Sequence, residues 1–379
     1  IQEKSWMLSQ KPKVSGAIIV IDPHTGRILA MSGGYSFSDS EFNRSTQALR
    51  QPGSAFKPFI YLSALEKNYL PTTLIRDAPI VIDQGPGLPK WKPSNYSNKF
   101  YGPSTLRTGV EKSRNLMTVR IAQEIGIDKI IQFSKNLKIY DNPEELLSIS
   151  LGSAETTLLK LTSAYSSFVN GGKLIDPIFL DRIQDSEGNT IFNSEKRFCN
   201  KCKEISYLGK EVPKIEDNFP QIFSEETAYQ MTSILEGVIK RGTGRKLKDL
   251  NLDLAGKTGT TNNNTDAWFV GFTSNLVIGV YVGHDEPRSL GKYETGSKTA
   301  MPIFKSFIKK AVKKGDARPF KVAKNIKFSV IEQKTGRKAD FGSKTTIIEA
   351  FKKNSTSKNY LNNDDLNLKV DKNNILKFY

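Results

Sequence analysis

The sequence of 379 residues is long enough to form one large core, or one domain with additions. Its apolar fraction of 37% is low because lysine and asparagine are abundant. It contains no apolar stretch of about 18 residues or more, so no segment is predicted to span a membrane. The net charge of +17 is concentrated in residues 301–379, which hold 19 Lys and Arg residues against 7 Asp and Glu residues. Because the sequence has neither a basic face with interleaved aromatic residues nor a recognisable binding module, we expect no nucleic-acid partner.

Hydrophobic periodicity predicts strands and helices along the whole chain. Residues 14–21 and 27–32 alternate around a Pro-His-Thr-Gly turn, which predicts a hairpin. A mainly helical region follows at residues 46–170, with an irregular excursion at 71–103, and a second hairpin is predicted at 174–192. A polar loop is predicted at 203–222 and a helix at 224–240. Three strands at 252–260, 265–272 and 275–283 and a basic amphipathic helix at 302–312 complete the pattern. Strands from both ends of the chain with helices between them predict an α/β (α+β) fold, in which an antiparallel sheet is flanked by helices and joined to a helical subdomain.

The two cysteines, Cys199 and Cys202, form a Cys-x-x-Cys motif in a charged, hairpin-rich stretch. A structural zinc site requires about four ligands, and the only histidines are His24 and His284. We therefore expect no metal site, and the sequence indicates no cofactor. In an oxidising compartment the pair is expected to close a small local disulfide, with a free dithiol as the second interpretation.

Residues 54–57 have the sequence Ser-Ala-Phe-Lys, and a Ser-x-x-Lys motif supplies a nucleophile and a base for acyl-serine chemistry. The motif recurs at three later serines, Ser289, Ser306 and Ser355. Ser54 is distinguished by the Pro-Gly turn before it and the apolar helix after it, which place its backbone N–H among the unpaired donors of a first helical turn. Residues i and i+3 share a helix face. Lys57 is therefore expected to accept the Ser54 proton once burial or a neighbouring cation lowers the pKa of the lysine.

A Ser-x-Asn motif follows at residues 113–115, in a polar stretch between two predicted helices. A loop or helix end there is expected to bring Ser113 beside Lys57 as a proton relay. The Asn115 amide is expected to pair with a backbone group of the substrate. A polar turn without a chemical role is an equally supported interpretation of this segment when it is taken alone.

A Lys-Thr-Gly motif at residues 257–259 lies on a predicted strand that is followed by a short polar turn and a partner strand. The residues of this strand that we predict to bind the substrate are Thr258, Gly259, Thr260 and Thr261. Lys257 and the threonine hydroxyls are suited to hold a carboxylate, and the glycines are expected to leave the strand edge bare for an extended substrate. The backbone N–H groups of Ser54 and Thr260 are predicted to form an oxyanion hole.

These motifs belong to longer blocks that resemble class A penicillin-binding proteins. The similar blocks follow the order of the family and occupy residues 42–48, 50–59, 91–96, 101–103, 113–115, 151–157, 241–244, 256–262 and 266–273. The resemblance covers roughly residues 14–315 and is greatest to the 1A-type enzymes.

The resemblance implies a penicillin-binding, serine β-lactamase-like transpeptidase fold and a peptidoglycan D,D-transpeptidase. Ser54 would attack the penultimate D-Ala of a stem peptide that ends in D-Ala-D-Ala, with Lys57 as the base for acylation. Ser113 would pass the proton to the leaving amine, and Lys257 would help to hold the terminal carboxylate. An amine on a neighbouring stem peptide would then resolve the acyl-enzyme. β-Lactams, which mimic D-Ala-D-Ala, would be covalent inhibitors.

Three other functions are compared with this expectation. A serine β-lactamase requires an efficient deacylating base, such as a loop glutamate followed closely by an asparagine. No Glu-x-x-x-Asn occurs between Asn115 and Lys257, which makes this interpretation less favoured. A non-catalytic β-lactam sensor or wall-binding module would tolerate loss of the relay groups, yet all three motifs are intact. A D,D-carboxypeptidase, in which water replaces the acceptor amine, remains open from the sequence.

Residues 1–315 are predicted to form the D,D-transpeptidase domain, with an insertion at about 174–222. Residues 316–379 are predicted to be a basic, partly flexible C-terminal extension. The favoured interpretation is a solvated tail, and the alternative is binding to an anionic membrane or an acidic wall polymer. The sequence begins at Ile1 without a visible signal peptide, and we interpret it as a piece of a longer protein. Class A relatives carry a membrane anchor and a glycosyltransferase domain upstream, and neither is in this chain. The resemblance implies a cell-envelope location on the periplasmic face of the cytoplasmic (inner) membrane.

Overall fold

The structure is a computed structural model that describes residues 10, 12–83, 87, 89–195, 197–199, 202, 215–313 and 318–355. Its strands are β1 (Ser15–Ile21), β2 (Ile28–Ser32), β3 (Leu74–Asp77), β4 (Gly102–Thr105), β5 (Arg182–Gln184), β6 (Thr190–Asn193), β7 (Arg197–Cys199), β8 (Ile215–Asp217), β9 (Ala255–Thr260), β10 (Asp266–Phe272), β11 (Val277–Gly283), β12 (Ile326–Glu332) and β13 (Thr346–Lys352). Its helices are α1 (Lys57–Glu66), α2 (Leu106–Glu111), α3 (Asn115–Ile125), α4 (Ile127–Asn136), α5 (Leu158–Val169), α6 (Glu225–Lys240) and α7 (Ala300–Ala311). Among these helices, none is long and apolar enough to cross a lipid bilayer.

Five strands form one antiparallel sheet in the order β2-β1-β11-β10-β9. Every residue of β10 and β11 is buried, which is why these two strands appear in the sequence as continuous apolar runs. The strand that carries the Lys-Thr-Gly motif, β9, lies at one edge of the sheet. The antiparallel sheet predicted from the two ends of the chain is confirmed.

Helices cover both faces of this sheet. On one face α7 packs against β10 and β11, and the ring centroids of Phe269 and Phe304 lie 4.8 Å apart. On the other face α5 packs against β1 and β11, while α6 packs against β9. Successive strand residues point to opposite faces, so Trp268 is buried in the larger core on the second face.

Helix α1 runs through the interior of the molecule and packs against α2, α3, α4 and α6. From Pro58 to Leu65 every residue except Ser63 is buried, and Phe59, Ile60, Tyr61 and Leu62 have at most 1% of their surface exposed. A helix that is apolar all round is stable only when it is buried on all sides. This packing carries the first residue of the helix, Lys57, into the protein interior.

The intermediate elements agree with the sequence in type and differ in extent. The predicted helical region contains α1 to α5, and its irregular excursion includes the ribbon of β3 and β4. The second predicted hairpin is shorter than expected, since β5 and β6 pair only next to the turn that the Gly188 N–H closes on the Asp185 carbonyl. Residues 203–214 of the predicted polar loop lie outside the described residues, and β8 follows them and pairs with β7. Cys199 and Cys202 form a disulfide there, the interpretation that the sequence favoured.

The hairpin of β12 and β13 folds back onto the domain and is not a solvated tail. It packs against α6. Ile331 and Phe351 of the hairpin are buried together with Leu70, and the buried Glu349 carboxylate forms an ion pair with Arg107 of α2. Local composition missed this packing because few residues of the hairpin are buried, and their partners lie far away in the chain. Residues 316–317 and 356–379 of the predicted extension lie outside the described residues.

Candidate active site

Ser54 lies in a short 3-10 helix, Gly53–Ala55, that leads directly into α1. Side chains at i and i+3 eclipse in 3-10 geometry, so Ser54 and Lys57 are directed to the same side of the turn. Within the described residues, neither the Ser54 hydroxyl nor its backbone N–H forms a hydrogen bond. Ser54 is also half-buried and not enclosed. The hydroxyl and the N–H are therefore both available to a ligand.

The turn around Ser54 is held by contacts from the helical part of the protein. The Gly53 N–H donates to the Gly152 carbonyl at 3.1 Å. The buried Tyr165 hydroxyl donates to the Ala55 carbonyl at 2.5 Å. A Cβ atom at Gly152 would lie 2.1 Å from the Gly53 carbonyl oxygen, so a glycine is required at this approach. These contacts fix the backbone on both sides of the serine.

The edge of β9 lies against the same turn. The Thr261 N–H donates to the Asp266 carbonyl of the neighbouring segment at 3.2 Å. Successive N–H groups of a strand point to opposite sides, so the Thr260 N–H points away from β10 and toward the turn. A Cβ atom at Gly53 would lie only 2.5 Å from the Thr260 carbonyl oxygen, which shows how closely the two segments approach. The two N–H groups predicted to form the oxyanion hole therefore lie on two segments that pack directly against each other.

Ser113 joins the two lysines of the motifs. The Lys57 ammonium donates to the Ser113 carbonyl at 2.8 Å, to the Ser113 hydroxyl at 3.4 Å and to the Asn115 side-chain oxygen. The Lys257 ammonium donates to the Ser113 hydroxyl at 2.8 Å and to the Thr258 carbonyl at 3.0 Å. The three motifs, which are far apart in the sequence, therefore converge on one hydroxyl group.

Both lysines are fully buried, and their surroundings disfavour the charged form. Burial, followed by the positive charges of Lys257 and Arg114, lowers the pKa of Lys57 well below its ordinary value, while the Asp77 carboxylate acts in the opposite direction. Burial also lowers the pKa of Lys257 to about 7. A lower pKa increases the fraction of Lys57 that is a neutral amine, which is the form that accepts a proton.

The hydroxyls of the Lys-Thr-Gly strand have different environments. The Thr258 and Thr243 hydroxyls lie 2.9 Å apart. The Thr260 hydroxyl accepts a hydrogen bond from the Gly296 N–H at 3.0 Å, so its own proton remains available to a carboxylate. The Thr261 hydroxyl is used inside the β9–β10 turn, where it accepts from the Asp266 N–H at 2.9 Å. Its predicted contact with the substrate remains a prediction.

Two glycines of this strand serve packing rather than an open edge. A Cβ atom at Gly259 would lie 2.4 Å from the Pro52 carbonyl oxygen, and one at Gly256 would lie 2.8 Å from the Val270 carbonyl oxygen. The predicted reason for these glycines, that they leave the strand edge bare for a substrate, was therefore wrong. Their absent side chains allow the serine turn and the neighbouring strand to approach β9 closely.

Two predicted contacts differ in detail from the structure. The hydrogen bonds of the Lys57 ammonium go to Ser113 and Asn115, and none goes to the Ser54 hydroxyl among the described residues. The Ser113 carbonyl and the Asn115 oxygen can only accept, so these two contacts use two N–H groups of Lys57 and leave its third position facing the Ser113 hydroxyl. The Asn115 amide, which we expected to face the substrate, holds Lys57 through its oxygen and donates to the Ser94 carbonyl at 2.7 Å.

Sequence reasoning missed several residues that shape the site. Tyr165 and Gly152 hold the serine turn, Thr243 lies beside Thr258, and Asn95 bonds to the start of α3. Gly152, Thr243 and Asn95 lie inside the sequence blocks that resemble the family, so those blocks were the available signal. Tyr165 gave no local signal, because its partner lies 110 residues away in the chain.

A buried sheet with a serine turn, two lysines and a bridging Ser-x-Asn loop defines the class of enzymes that transfer acyl groups through a serine. The family model described as the penicillin binding protein transpeptidase domain matches residues 16–309. The chain therefore belongs to the penicillin-binding protein transpeptidase family.

Relatives of known name agree with this assignment. Penicillin-binding protein 1A of Rickettsia conorii is 44% identical over 380 residues, which cover 99% of this chain and 47% of that protein. The crystal structure of penicillin-binding protein 1A from Haemophilus influenzae has a TM-score of 0.81 and 34% sequence identity, and the match covers 92% of this chain and 55% of that chain. PonA1 from Mycobacterium tuberculosis, in complex with penicillin V, shares the fold with a TM-score of 0.66 at 23% identity, over 82% of this chain and 81% of that one. The chain spans about half the length of the curated relatives that it matches.

Proposed function

We propose that the protein is a serine D,D-transpeptidase that cross-links peptidoglycan stem peptides through an acyl-enzyme on Ser54. The observation that carries this proposal is the junction at Ser113, where two buried lysines share one hydroxyl group beside the serine turn. Family membership supports it. The proposed location is the cell envelope, at the periplasmic face of the inner membrane.

In the acylation step the Ser54 oxygen attacks the carbonyl carbon of the penultimate D-Ala. Neutral Lys57 takes the hydroxyl proton, and the Ser54 and Thr260 N–H groups stabilise the oxyanion that forms. The C–N bond to the terminal D-Ala then breaks. The leaving amine receives the proton from Lys57 through the Ser113 hydroxyl.

In the deacylation step the amine of a second stem peptide attacks the Ser54 ester. The new amide is the cross-link, and the Ser54 oxygen recovers a proton. Water in place of the amine would give a D,D-carboxypeptidase. The Lys257 ammonium and the Thr258 and Thr260 hydroxyls are proposed to hold the terminal carboxylate of the donor peptide.

β-Lactams are proposed to be covalent inhibitors because they present a strained amide next to a carboxylate. Attack by Ser54 opens the ring, and the whole drug remains attached to the enzyme. The leaving nitrogen stays tethered to the acyl group, and its bulk hinders an incoming amine or water.

The first test is intact-protein mass spectrometry with a penicillin, followed over hours. We expect the wild type to gain the mass of one drug molecule, and the peptide that contains Ser54 to carry it. Ser54→Ala should gain no mass. Ser306→Ala is the matched control, because Ser306 also precedes a lysine by three residues but is exposed on α7, and it should be acylated like the wild type.

The other outcomes distinguish the alternatives. Rapid loss of the adduct with turnover of the drug would indicate a hydrolase of the β-lactamase type. Absence of an adduct in folded protein would refute acyl-serine chemistry. A stem pentapeptide with an acceptor amine then separates the two peptide reactions, since a transpeptidase forms cross-linked product and a carboxypeptidase releases only D-Ala.

A further inference from the structure

We propose that Asp77 and Asn95 form a positioning pair that caps helix α3 and thereby fixes Asn115 against the Lys57 ammonium. The two residues act through Asn115 and not on the substrate. The inference rests on the proposed function to the extent that Lys57 is the proton acceptor.

Helix α3 lacks a cap of its own. Its N-cap position is Arg114, whose side chain makes no capping hydrogen bond. The side-chain oxygen of Asn95 instead accepts from the N–H groups of Asn115 at 2.8 Å and Leu116 at 3.4 Å. The first N–H groups of a helix have no partner within the helix, and an asparagine oxygen is among the best acceptors for them. Here the cap comes from a loop about 20 residues upstream.

The Asp77 carboxylate sets the orientation of the Asn95 amide. The amide nitrogen of Asn95 donates to Asp77 Oδ1 at 2.7 Å and to the Lys99 carbonyl at 2.9 Å. A flipped amide would place its oxygen against two acceptors and its N–H groups against the two N–H donors of α3. Asp77 and Asn95 are both buried, at 0% and 3% exposure, so water does not compensate for a wrong orientation.

The cap acts on Lys57 through Asn115. The backbone N–H of Asn115 is bound to Asn95, and its side-chain nitrogen donates to the Ser94 carbonyl at 2.7 Å. Both ends of the residue are thus fixed, which leaves its side-chain oxygen aimed at the Lys57 ammonium. A shift at the start of α3 moves this acceptor, and with it the lysine.

Asp77 also contributes charge. The charged groups that act on Lys57 are Lys257 on β9, Arg114 before α3 and Asp77 at the end of β3. Arg114 lies between the Tyr101 ring and the Asp77 carboxylate, with its Nε 3.6 Å from Asp77 Oδ2. A nearby carboxylate favours the ammonium form. Removal of the Asp77 charge should therefore allow Lys57 to lose its proton at a lower pH.

Two variants separate the cap from the charge. Asn95→Ala removes the acceptor for the α3 N–H groups. Asp77→Asn removes the charge and retains the oxygen that accepts from Asn95, because the other carboxylate oxygen, Oδ2, has no hydrogen bond in the structure. The control is Asn136→Ala, since the Asn136 oxygen accepts a hydrogen bond from Gln132 on an exposed part of α4.

Three measurements are made on each variant. The penicillin acylation rate constant should fall on the order of 10- to 100-fold in Asn95→Ala, because a small displacement of a catalytic group has such an effect. Hydrogen exchange at the Asn115 and Leu116 amides should become at least ~10-fold faster in the same variant, since a lost cap opens the first turn. In Asp77→Asn, NMR of 13C-labelled lysine, assigned with Lys57→Arg, should give a Lys57 titration midpoint at lower pH than in the wild type.

The results can overturn the inference independently of the proposed function. A Lys57 midpoint in Asp77→Asn that equals or exceeds the wild-type midpoint contradicts it, as does unchanged amide exchange in Asn95→Ala. If Asn95→Ala does not fold, amide exchange at Asn115 and Leu116 is measured in Asp77→Ala, which removes the acceptor that orients Asn95; unchanged exchange in that variant contradicts the inference. If penicillin does not acylate the wild type while the exchange and titration change as expected, the proposed function fails and the positioning pair stands.

Discussion

At the scale of single residues, Ser113 has an uncommon backbone conformation. Its φ is 54°, in the left-handed region that glycine favours. The Ser113 N–H donates to the Val110 carbonyl and the Arg114 N–H donates to the Gly109 carbonyl, which is the Schellman arrangement that ends α2. A serine therefore occupies a position where glycine is usual. The reversal of the chain at this position turns its carbonyl and hydroxyl toward Lys57, and its hydroxyl also meets Lys257.

The two lysines predict a bell-shaped pH profile for penicillin acylation. The second-order rate constant reports the free enzyme. It should rise with pH as Lys57 becomes neutral, well below the ordinary value of 10.5, and fall above a pH of about 7 as Lys257 loses its charge. Lys257→Arg keeps a cation at all these pH values, so its profile should lack the basic limb even if its rate is lower. A basic limb that persists in this variant would assign that limb to another group.

Gly53 provides a second test at this scale. Its φ is +53°, and a Cβ atom would lie 2.5 Å from the Thr260 carbonyl oxygen. Gly53→Ala should therefore push the serine turn away from β9 and reduce penicillin acylation on the order of 100-fold. Gly188→Ala is the control, because its φ is +87° but nothing lies within 4 Å of the added atom. Equal loss of acylation in both variants would assign the effect to backbone strain and not to the contact.

At the scale of elements, the C-terminal hairpin is bound to the helical part through buried charges. The Arg107 guanidinium of α2 contacts both oxygens of Glu349 on β13, and it also donates to the Ser233 carbonyl of α6 at 3.0 Å. Glu111, one turn further along α2, pairs with Arg107 and with Arg241 after α6. The hairpin therefore helps to hold α2, the helix that ends at Ser113.

Loss of the Glu349 charge should destabilise the fold. Removing one partner of a buried ion pair leaves the other charge without compensation, which costs about 3–5 kcal/mol. We expect Glu349→Gln to lower the free energy of unfolding by about 3 kcal/mol, at the low end of this range, because Arg107 still pairs with Glu111. Urea unfolding measures the change in free energy. Glu332→Gln on β12 is the control and should change the free energy by at most ~0.5 kcal/mol, as expected for a site away from buried pairs. Similar values for the two variants would contradict a structural role for the pair.

At the scale of the whole molecule, the ribbons between α5 and α6 are attached to the domain by ion pairs. Arg27 pairs with Asp181, and Lys173 pairs with Asp217. The strands of the first ribbon, β5 and β6, are exposed along their length. The residues of the candidate active site come from other parts of the chain.

Removal of the disulfide in this segment should therefore leave penicillin acylation nearly unchanged. Cys199 and Cys202 are three residues apart, so their link closes a very short loop and is expected to stabilise the fold by at most about 2 kcal/mol. The double variant Cys199→Ser and Cys202→Ser should keep its penicillin acylation rate within ~2-fold, because β7 and β8 form their own two-stranded sheet, apart from the sheet that carries Lys257. The rate is measured by mass spectrometry beside the wild type. A large loss of acylation would indicate that the ribbons contact the candidate active site or the substrate.

The sequence predicted the central elements well and the peripheral ones poorly. The hairpin of β1 and β2, helix α6 and strands β9 to β11 follow from periods and turn residues within each segment. The hairpin of β12 and β13 did not follow, since its stability comes from Leu70 and Arg107, which are distant in the chain. Local patterns carry no information about such partners.

The sequence by itself determined the family, the order of the three motifs, the antiparallel sheet with its covering helices and the identity of the nucleophile candidate. These follow from residue types at short spacings, because the repeat of a helix or a strand fixes which residues share one face. Only the tertiary structure decided that Lys57 and Lys257 meet at Ser113, across 56 and 144 residues, and that Asn95 caps α3. These contacts depend on how buried helices pack around α1, and packing is a property of the whole core that no local segment encodes.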